Sequence, residues 1–130
     1  MHKIFFLIII IVTSCSNIIF CDTWEAKQFE QYRFERAVAI EASDSLNWDL
    51  AITHYINAAN IAEKNNMVTV WAWQLNNAAR CIIKVYERDK DKSVLVFAKT
   101  LLEKAKQLNI EETLPKINSN LKYVQNLLGE

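Results

Sequence analysis

The sequence predicts an all-α domain of about five antiparallel helices, on three observations. The 130-residue chain contains one glycine, Gly129, and one proline, Pro115. Strands joined by tight turns need glycine, so an all-helical fold requires the fewest turn residues. Apolar residues recur at steps of three and four, which indicates helices with one buried side. Short polar segments separate these stretches, so consecutive helices should pack antiparallel.

The first predicted helix follows a capping signal. Asp22 or Thr23 can serve as the N-cap, and Glu25 stands three residues after Asp22, as in a capping box. The helix should end at Ser43-Asp44-Ser45, a polar segment rich in capping side chains. Its predicted apolar positions are Phe34, Ala37, Val38 and Ala42.

The second predicted helix runs from about Asn47 to Lys64, and the third from near Met67 to about Glu87. Asn65-Asn66 should separate them, because asparagine tolerates the left-handed conformation that often ends a helix. The apolar side of the second helix consists of Ala51, Tyr55, Ala58, Ile61 and Ala62. The apolar stripe of the third consists of Trp71, Leu75, Ala78, Ile82 and Val85.

The fourth and fifth predicted helices follow two further polar segments. Asp91, in the charged turn of residues 89–92, can cap the fourth helix. Thr113 is the expected cap of the fifth, and Pro115 falls in its first turn, where the missing N–H costs nothing. The apolar positions of the fourth helix are Val94, Leu95, Ala98, Leu101, Leu102, Ala105 and Leu108. Those of the fifth are Leu114, Ile117, Leu121, Val124 and Leu128.

A segment near the N-terminus is built like an export signal. The apolar run from Phe5 to Val12 has eight residues, fewer than the roughly twenty that span a bilayer. It leads into Val12-Thr13-Ser14-Cys15, which resembles the lipobox of bacterial lipoproteins. The resemblance implies cleavage before Cys15 and lipidation of that residue. Two alternatives stay open: ordinary secretion with cleavage near Cys21, and an uncleaved N-terminal anchor.

The lipobox resemblance implies a division of the chain and a compartment. Residues 1–21 would form the lipoprotein signal peptide and tether, and residues 22–130 the helical domain. The mature protein would lie in the bacterial cell envelope, held to a membrane by acyl chains such as palmitate, on the periplasmic or the surface side. Several chains anchor far better than one, since each buried CH₂ contributes about 0.8 kcal/mol.

Composition argues against several classes of function. Residues 22–130 contain 14 basic and 15 acidic residues, a balance that argues against nucleic-acid binding. No glycine precedes residue 129, so a phosphate-binding or dinucleotide-binding loop is impossible. His54 has no metal ligands at helical spacing and no visible catalytic partner. Cys81 fits a small apolar helix residue, with a Cys21–Cys81 pair as the alternative. We therefore expect no metal, no cofactor and no enzymatic activity.

Two segments of the helical domain share one spacing of small and bulky residues. Ala51-x₃-Tyr55-x₂-Ala58 matches Ala98-x₃-Leu102-x₂-Ala105. This spacing is similar to the second helix of a tetratricopeptide repeat, which implies a right-handed α-solenoid over roughly residues 32–109. The two segments are 47 residues apart, more than the family period of about 34, and Glu63 stands where the family has proline. A plain helical bundle is the alternative fold.

Candidate partner-binding residues lie on the third helix, away from its apolar stripe. They follow one another at steps of four, three and four, and are Trp73, Asn77, Arg80 and Lys84. In the repeat family the first helix of each pair lines a concave face, which adds Arg33, Arg36 and Ile40 by resemblance. Tryptophan supplies contact area, cations bind carboxylates, and asparagine can bond a peptide backbone. Alternatively, Trp73 packs under the first or last helix and the other residues form a solvated face.

Two functions are consistent with these features. The first is a lipid-anchored adaptor or scaffold that binds protein partners at the envelope through a helical concave surface. The second is a small-molecule-binding lipoprotein with an apolar pocket between helices, lined by Trp71, Trp73 or Tyr86. An enclosed pocket with converging polar groups would favour the second function, and an open groove or an exposed apolar patch the first.

Overall fold

The computed structural model describes residues 25–130, which are helical except for short connections. The helices are α1, which includes residues 25–44, α2 (Trp48–Lys64), α3 (Val68–Asp89), α4 (Ser93–Gln107) and α5 (Leu114–Leu128). The all-α prediction is confirmed, since residues 25–130 contain no strand. The chain divides by compactness into Met1–Gln31 and Tyr32–Glu130, and the core lies in the second unit.

From α2 onward, each helix packs against the next helix along the chain. Helix α2 contacts α3, α3 contacts α4, and α4 contacts α5, while α3 also reaches α5. Connections of three residues, 65–67 and 90–92, precede α3 and α4. Helices that pack together across such short connections run antiparallel. Helix α3 therefore has α2, α4 and α5 as neighbours.

The core consists of the predicted apolar stripes and is rich in alanine. Fully or almost fully buried residues on α3 and α4 include Leu75, Ala78, Ile82, Leu95, Ala98 and Leu102. Helix α5 contributes Ile117, Leu121 and Val124. Small side chains such as Ala51, Ala58 and Ala62 let α2 approach its neighbours closely. Trp71 and Ile61, predicted as stripe positions, are only half-buried.

The buried side of α1 differs from the predicted one. Phe34 is 63 % exposed and Ala37 is also exposed, so their assignment to the core is wrong. The buried residues are Tyr32, Ala39 and Ala42. Steps of seven and three residues place these three on one side of α1. Phe34, two positions after Tyr32, lies about 200° around the helix and therefore on the opposite side. Apolar residues occur on both sides of α1, and only packing decides between them.

The predicted helix ends agree with the structure, with two differences in capping. Lys92, and not Asp91, stands at the N-cap of α4. Asn47 Oδ1 accepts a backbone N–H of α2 at 3.3 Å, and Asn66 is left-handed with φ of 54°. Asp91 Oδ1 accepts the backbone N–H of residue 93 at 2.9 Å. Thr113 stands at the N-cap of α5, but its hydroxyl donates to the Ile110 carbonyl at 2.8 Å instead of capping. The predicted capping box at residue 22 lies outside the described residues.

Candidate binding groove

A cleft of about 310 Å³ lies beside α3. From α3 it is lined by Asn77, Arg80, Cys81, Ile83, Lys84 and Glu87. The rest of its lining consists of Ser43 from α1, Trp48 and Tyr55 from α2, and Asn120 and Tyr123 from α5. This cleft, called the main groove below, therefore collects side chains from four helices.

A second cleft, of about 360 Å³, lies between α1 and α3 and is called the Gln74 cleft. Its lining consists of Tyr32, Arg36, Val70, Trp73, Gln74 and Asn77. Asn77 lines both clefts, so the two adjoin along α3. Together they form a surface that runs from α1 across α3 to α5.

Most of the predicted partner-binding residues line this surface. Those that do are Arg36, Trp73, Asn77, Arg80 and Lys84. Arg33 is exposed on α1 but lines neither cleft, and Ile40 packs against the core. The predicted residues of α3 therefore share one side of the helix, as their spacing indicates, and the clefts lie on that side. Binding through these residues stays a prediction.

The cations of the two clefts differ in their pairing. Lys84 Nζ donates to Glu87 Oε2 at 2.9 Å, and Glu87 lines the same groove. Arg36 and Arg80 have no carboxylate at ion-pair distance within the described part of the chain. Two guanidinium groups are thus available to bind an anionic group of a ligand.

Burial raises the pKa of three groups in the cleft walls, because it disfavours their charged forms. For Tyr32, burial raises the pKa, while Arg36 and a hydrogen bond with Gln74 act in the opposite direction. Burial also raises the pKa of Tyr55 and of the Cys81 thiol. Cys81 is therefore a buried, weakly nucleophilic thiol, in agreement with a small apolar role. Its possible partner, Cys21, lies outside the described residues.

His54 has an acidic neighbour that is not visible in the sequence pattern. Its side chain is 20 % exposed, and Nδ1 lies 2.5 Å from Oε2 of Glu35 on α1. Asn57 Nδ2 donates to the same carboxylate oxygen at 3.2 Å. The sequence pattern shows no partner for His54 because Glu35 comes from another helix. The carboxylate connects α1 to α2, and residues 25–130 contain no group of three potential metal ligands.

Only one of the three aromatic residues predicted for a small-molecule pocket lines either cleft. Trp73 lines the Gln74 cleft, but Trp71 and Tyr86 line neither cleft. Lys104 Nζ lies 5.2 Å from the ring centre of Trp71, and Lys90 Nζ lies 5.8 Å from that of Tyr86. These two rings pack beside lysine side chains, outside the main groove and the Gln74 cleft.

Two buried amides on α3 are not apparent from the sequence. Gln74 is 3 % exposed, and its Nε2 donates to the Tyr32 hydroxyl at 3.1 Å. Its Oε1 has no hydrogen-bond partner within the described residues. Asn76 is 1 % exposed and accepts a hydrogen bond from Asn120 Nδ2 at 2.8 Å. The one available signal is the position of both amides directly beside Leu75 of the apolar stripe.

Comparison with protein-family models gives no match, and comparisons with curated proteins and with solved structures give none either. None of the helices within residues 25–130 combines the length and apolarity needed to cross a membrane. The predicted lipidation site, Cys15, lies outside the described residues. The properties of the clefts are therefore the main basis for a functional proposal.

Proposed function

We propose that this protein is a lipid-anchored adaptor of a bacterial envelope that binds partner proteins along the surface formed by its two clefts. The observation that carries the proposal is the convergence of Arg36 from α1, Asn77 from α3 and Tyr123 from α5 on adjoining clefts. In a helical solenoid, alternate helices line one extended concave face that binds other proteins. The odd-numbered helices would form that face here.

The order of helix packing supports a solenoid over a plain bundle. Among α2–α5, contacts join chain neighbours and the pair α3 and α5. A closed bundle of these helices would also pack α5 against α2, and that pair is not among the principal contacts. Stacking in which each element contacts mainly its neighbours is typical of repeat proteins.

The chemistry of the surface supports a protein partner. Trp73 and Tyr123 supply aromatic contact area, and Arg36 and Arg80 offer unpaired guanidinium groups. Tryptophan, tyrosine and arginine are the residues most enriched among strong contributors to protein interfaces. A lipid anchor at Cys15 would raise the local concentration of the protein at a membrane, so that weak contacts could suffice.

Site-specific photo-crosslinking tests the partner surface. Benzoylphenylalanine would replace Tyr123, which is 44 % exposed in the main groove, or Phe97, which is 46 % exposed on α4 and lines neither cleft. In native membranes, we expect discrete protein crosslinks from position 123 and none from 97. Adding Arg80→Ala should remove them. Equal crosslinking from both positions, or none from 123, would contradict the adaptor.

Labelling with a fatty-acid analogue tests the anchor separately. Wild type and Cys21→Ala should incorporate the label, and Cys15→Ala should not. The two cysteines lie six residues apart in the N-terminal segment, so Cys21→Ala is a matched control. Labelling of Cys15→Ala at the wild-type level would exclude lipidation at this residue.

The volume of the main groove favours a second candidate, a small-molecule-binding lipoprotein. Its size of about 310 Å³ lies at the lower end of ligand pockets, which span roughly 300–1,000 Å³. Native mass spectrometry of protein purified from its own membranes tests this function. A small molecule that copurifies with wild type and is lost from Arg80→Ala, together with absent crosslinks at position 123, would favour it over the adaptor.

A further inference from the structure

The Gln74 cleft contains a buried hydrogen-bond acceptor that the fold does not use. Gln74 is 3 % exposed and lines the cleft, and its Oε1 has no partner within the described residues. A buried acceptor without a partner lowers stability, because it loses water without gaining a hydrogen bond. A methionine would fill a similar volume without that loss. Nε2 of this amide joins α3 to α1 through Tyr32, whereas Oε1 contributes no hydrogen bond to the described fold.

The neighbours of Gln74 restrict the ligand that could use this acceptor. Oε1 requires a donor such as an N–H group. Arg36, which lines the same cleft, can bind an anionic acceptor, because no described carboxylate lies at ion-pair distance from it. Trp73 offers an aromatic surface beside them. An anion without an N–H or O–H group cannot donate to Oε1, and a neutral amide does not neutralise a guanidinium. A peptide with an acidic side chain supplies both groups.

We propose that the Gln74 cleft binds an extended acidic peptide segment of the partner, which donates a backbone N–H to Gln74 Oε1 and pairs an adjacent carboxylate with Arg36. Arg80, the second unpaired guanidinium, lines the adjoining main groove. Its positive charge extends the surface that is complementary to an acidic peptide. The inference rests on the proposed function, because it specifies how a protein partner is bound.

Isothermal titration of the full chain in detergent tests the inference with a defined probe. The probe is the capped peptide acetyl-Ala-Asp-Ala-Asp-Ala-amide. A version with N-methylated backbone amides lacks the donors, and a version with asparagine in place of aspartate lacks the charge. We expect both modified peptides to bind wild type about tenfold more weakly, the effect of one ordinary hydrogen bond or ion pair.

A variant identifies the acceptor. Gln74→Met should weaken binding of the parent peptide about tenfold and remove the difference between the parent and its N-methylated form. Gln107→Met makes the same substitution at an exposed position of α4 and should bind as wild type does. If Gln74→Met does not fold, binding of the parent and N-methylated peptides to wild type still tests whether a backbone N–H of the peptide contributes to binding.

Three outcomes would overturn the inference: no binding of the parent peptide, equal binding of its N-methylated form by wild type, or normal binding of the parent by Gln74→Met. Crosslinks from position 123 together with any of these would leave the adaptor standing without this subsite. Peptide binding that depends on Gln74, without crosslinks in membranes, would instead support the subsite and contradict the envelope adaptor.

Discussion

Helix α3 buries one amide near α5 and another near α1, and the two contacts differ in how they are satisfied. Near α5, the Oδ1 of Asn76 accepts from Asn120 at 2.8 Å. Near α1, Gln74 donates to Tyr32 at 3.1 Å, but its Oε1 has no partner within the described residues. The Asn76 acceptor is paired within the fold, whereas the Gln74 acceptor is buried without a partner. If the Gln74 cleft binds a peptide as proposed, the unpaired acceptor serves binding, whereas the Asn76–Asn120 pair stabilises the fold.

The largest effect is expected from breaking the α5 contact. Asn120→Ala should lower the free energy of unfolding by about 2 kcal/mol, because it leaves the Asn76 Oδ1 buried without a partner. Urea unfolding followed by circular dichroism measures this change. Asn118→Ala, at an exposed position of the same helix, should change it by less than about 0.5 kcal/mol. Equal effects of the two substitutions would contradict a stabilising role for the pair.

A double substitution sharpens this result. Asn76→Leu combined with Asn120→Ala removes the donor and the acceptor together. Because no buried polar group is then left unpaired, the double variant should regain most of the stability that Asn120→Ala loses. Additive losses in the double variant would show that the side chains act through packing and not through their hydrogen bond.

The contrast between the two amides marks the limit of what the sequence predicts. Helices and apolar stripes follow from a local period, so Leu75, Ala78 and Ile82 are identified correctly. The buried polar pairs join residues 42 and 44 positions apart, and no local pattern specifies which helices meet. The shared side of Trp73 and Arg80 could be predicted, whereas the contribution of Tyr123 required the packing of α5 against α3.

A smaller effect is expected on the α1 side. Gln74→Met should change the free energy of unfolding by less than about 1 kcal/mol, because it removes an unpaired buried acceptor but also removes the donor to the buried Tyr32 hydroxyl. The same urea titration measures it, with Gln107→Met as the exposed control. Replacing a buried amide whose hydrogen bonds are satisfied costs about 1 kcal/mol or more. A loss of that size in the free energy of unfolding of Gln74→Met would show that the Gln74 contact does not differ from the Asn76 contact.

The smallest effect is the contribution of Tyr32, on the α1 side, to the pH dependence of stability. Burial raises the pKa of Tyr32 in the folded protein above its ordinary value of about 10. Below that pH both states hold the proton, so the contribution of the buried phenol is fully present. As pH rises further, the unfolded chain releases the proton first, and stability falls through the folded pKa. As the pH rises from 9 to about 11, the free energy of unfolding should therefore fall less for Tyr32→Phe than for wild type. Asn120→Ala should follow the wild-type slope, because amides do not titrate in this range. Parallel slopes for wild type and Tyr32→Phe would show that the α1 contact does not hold the phenol in its neutral form.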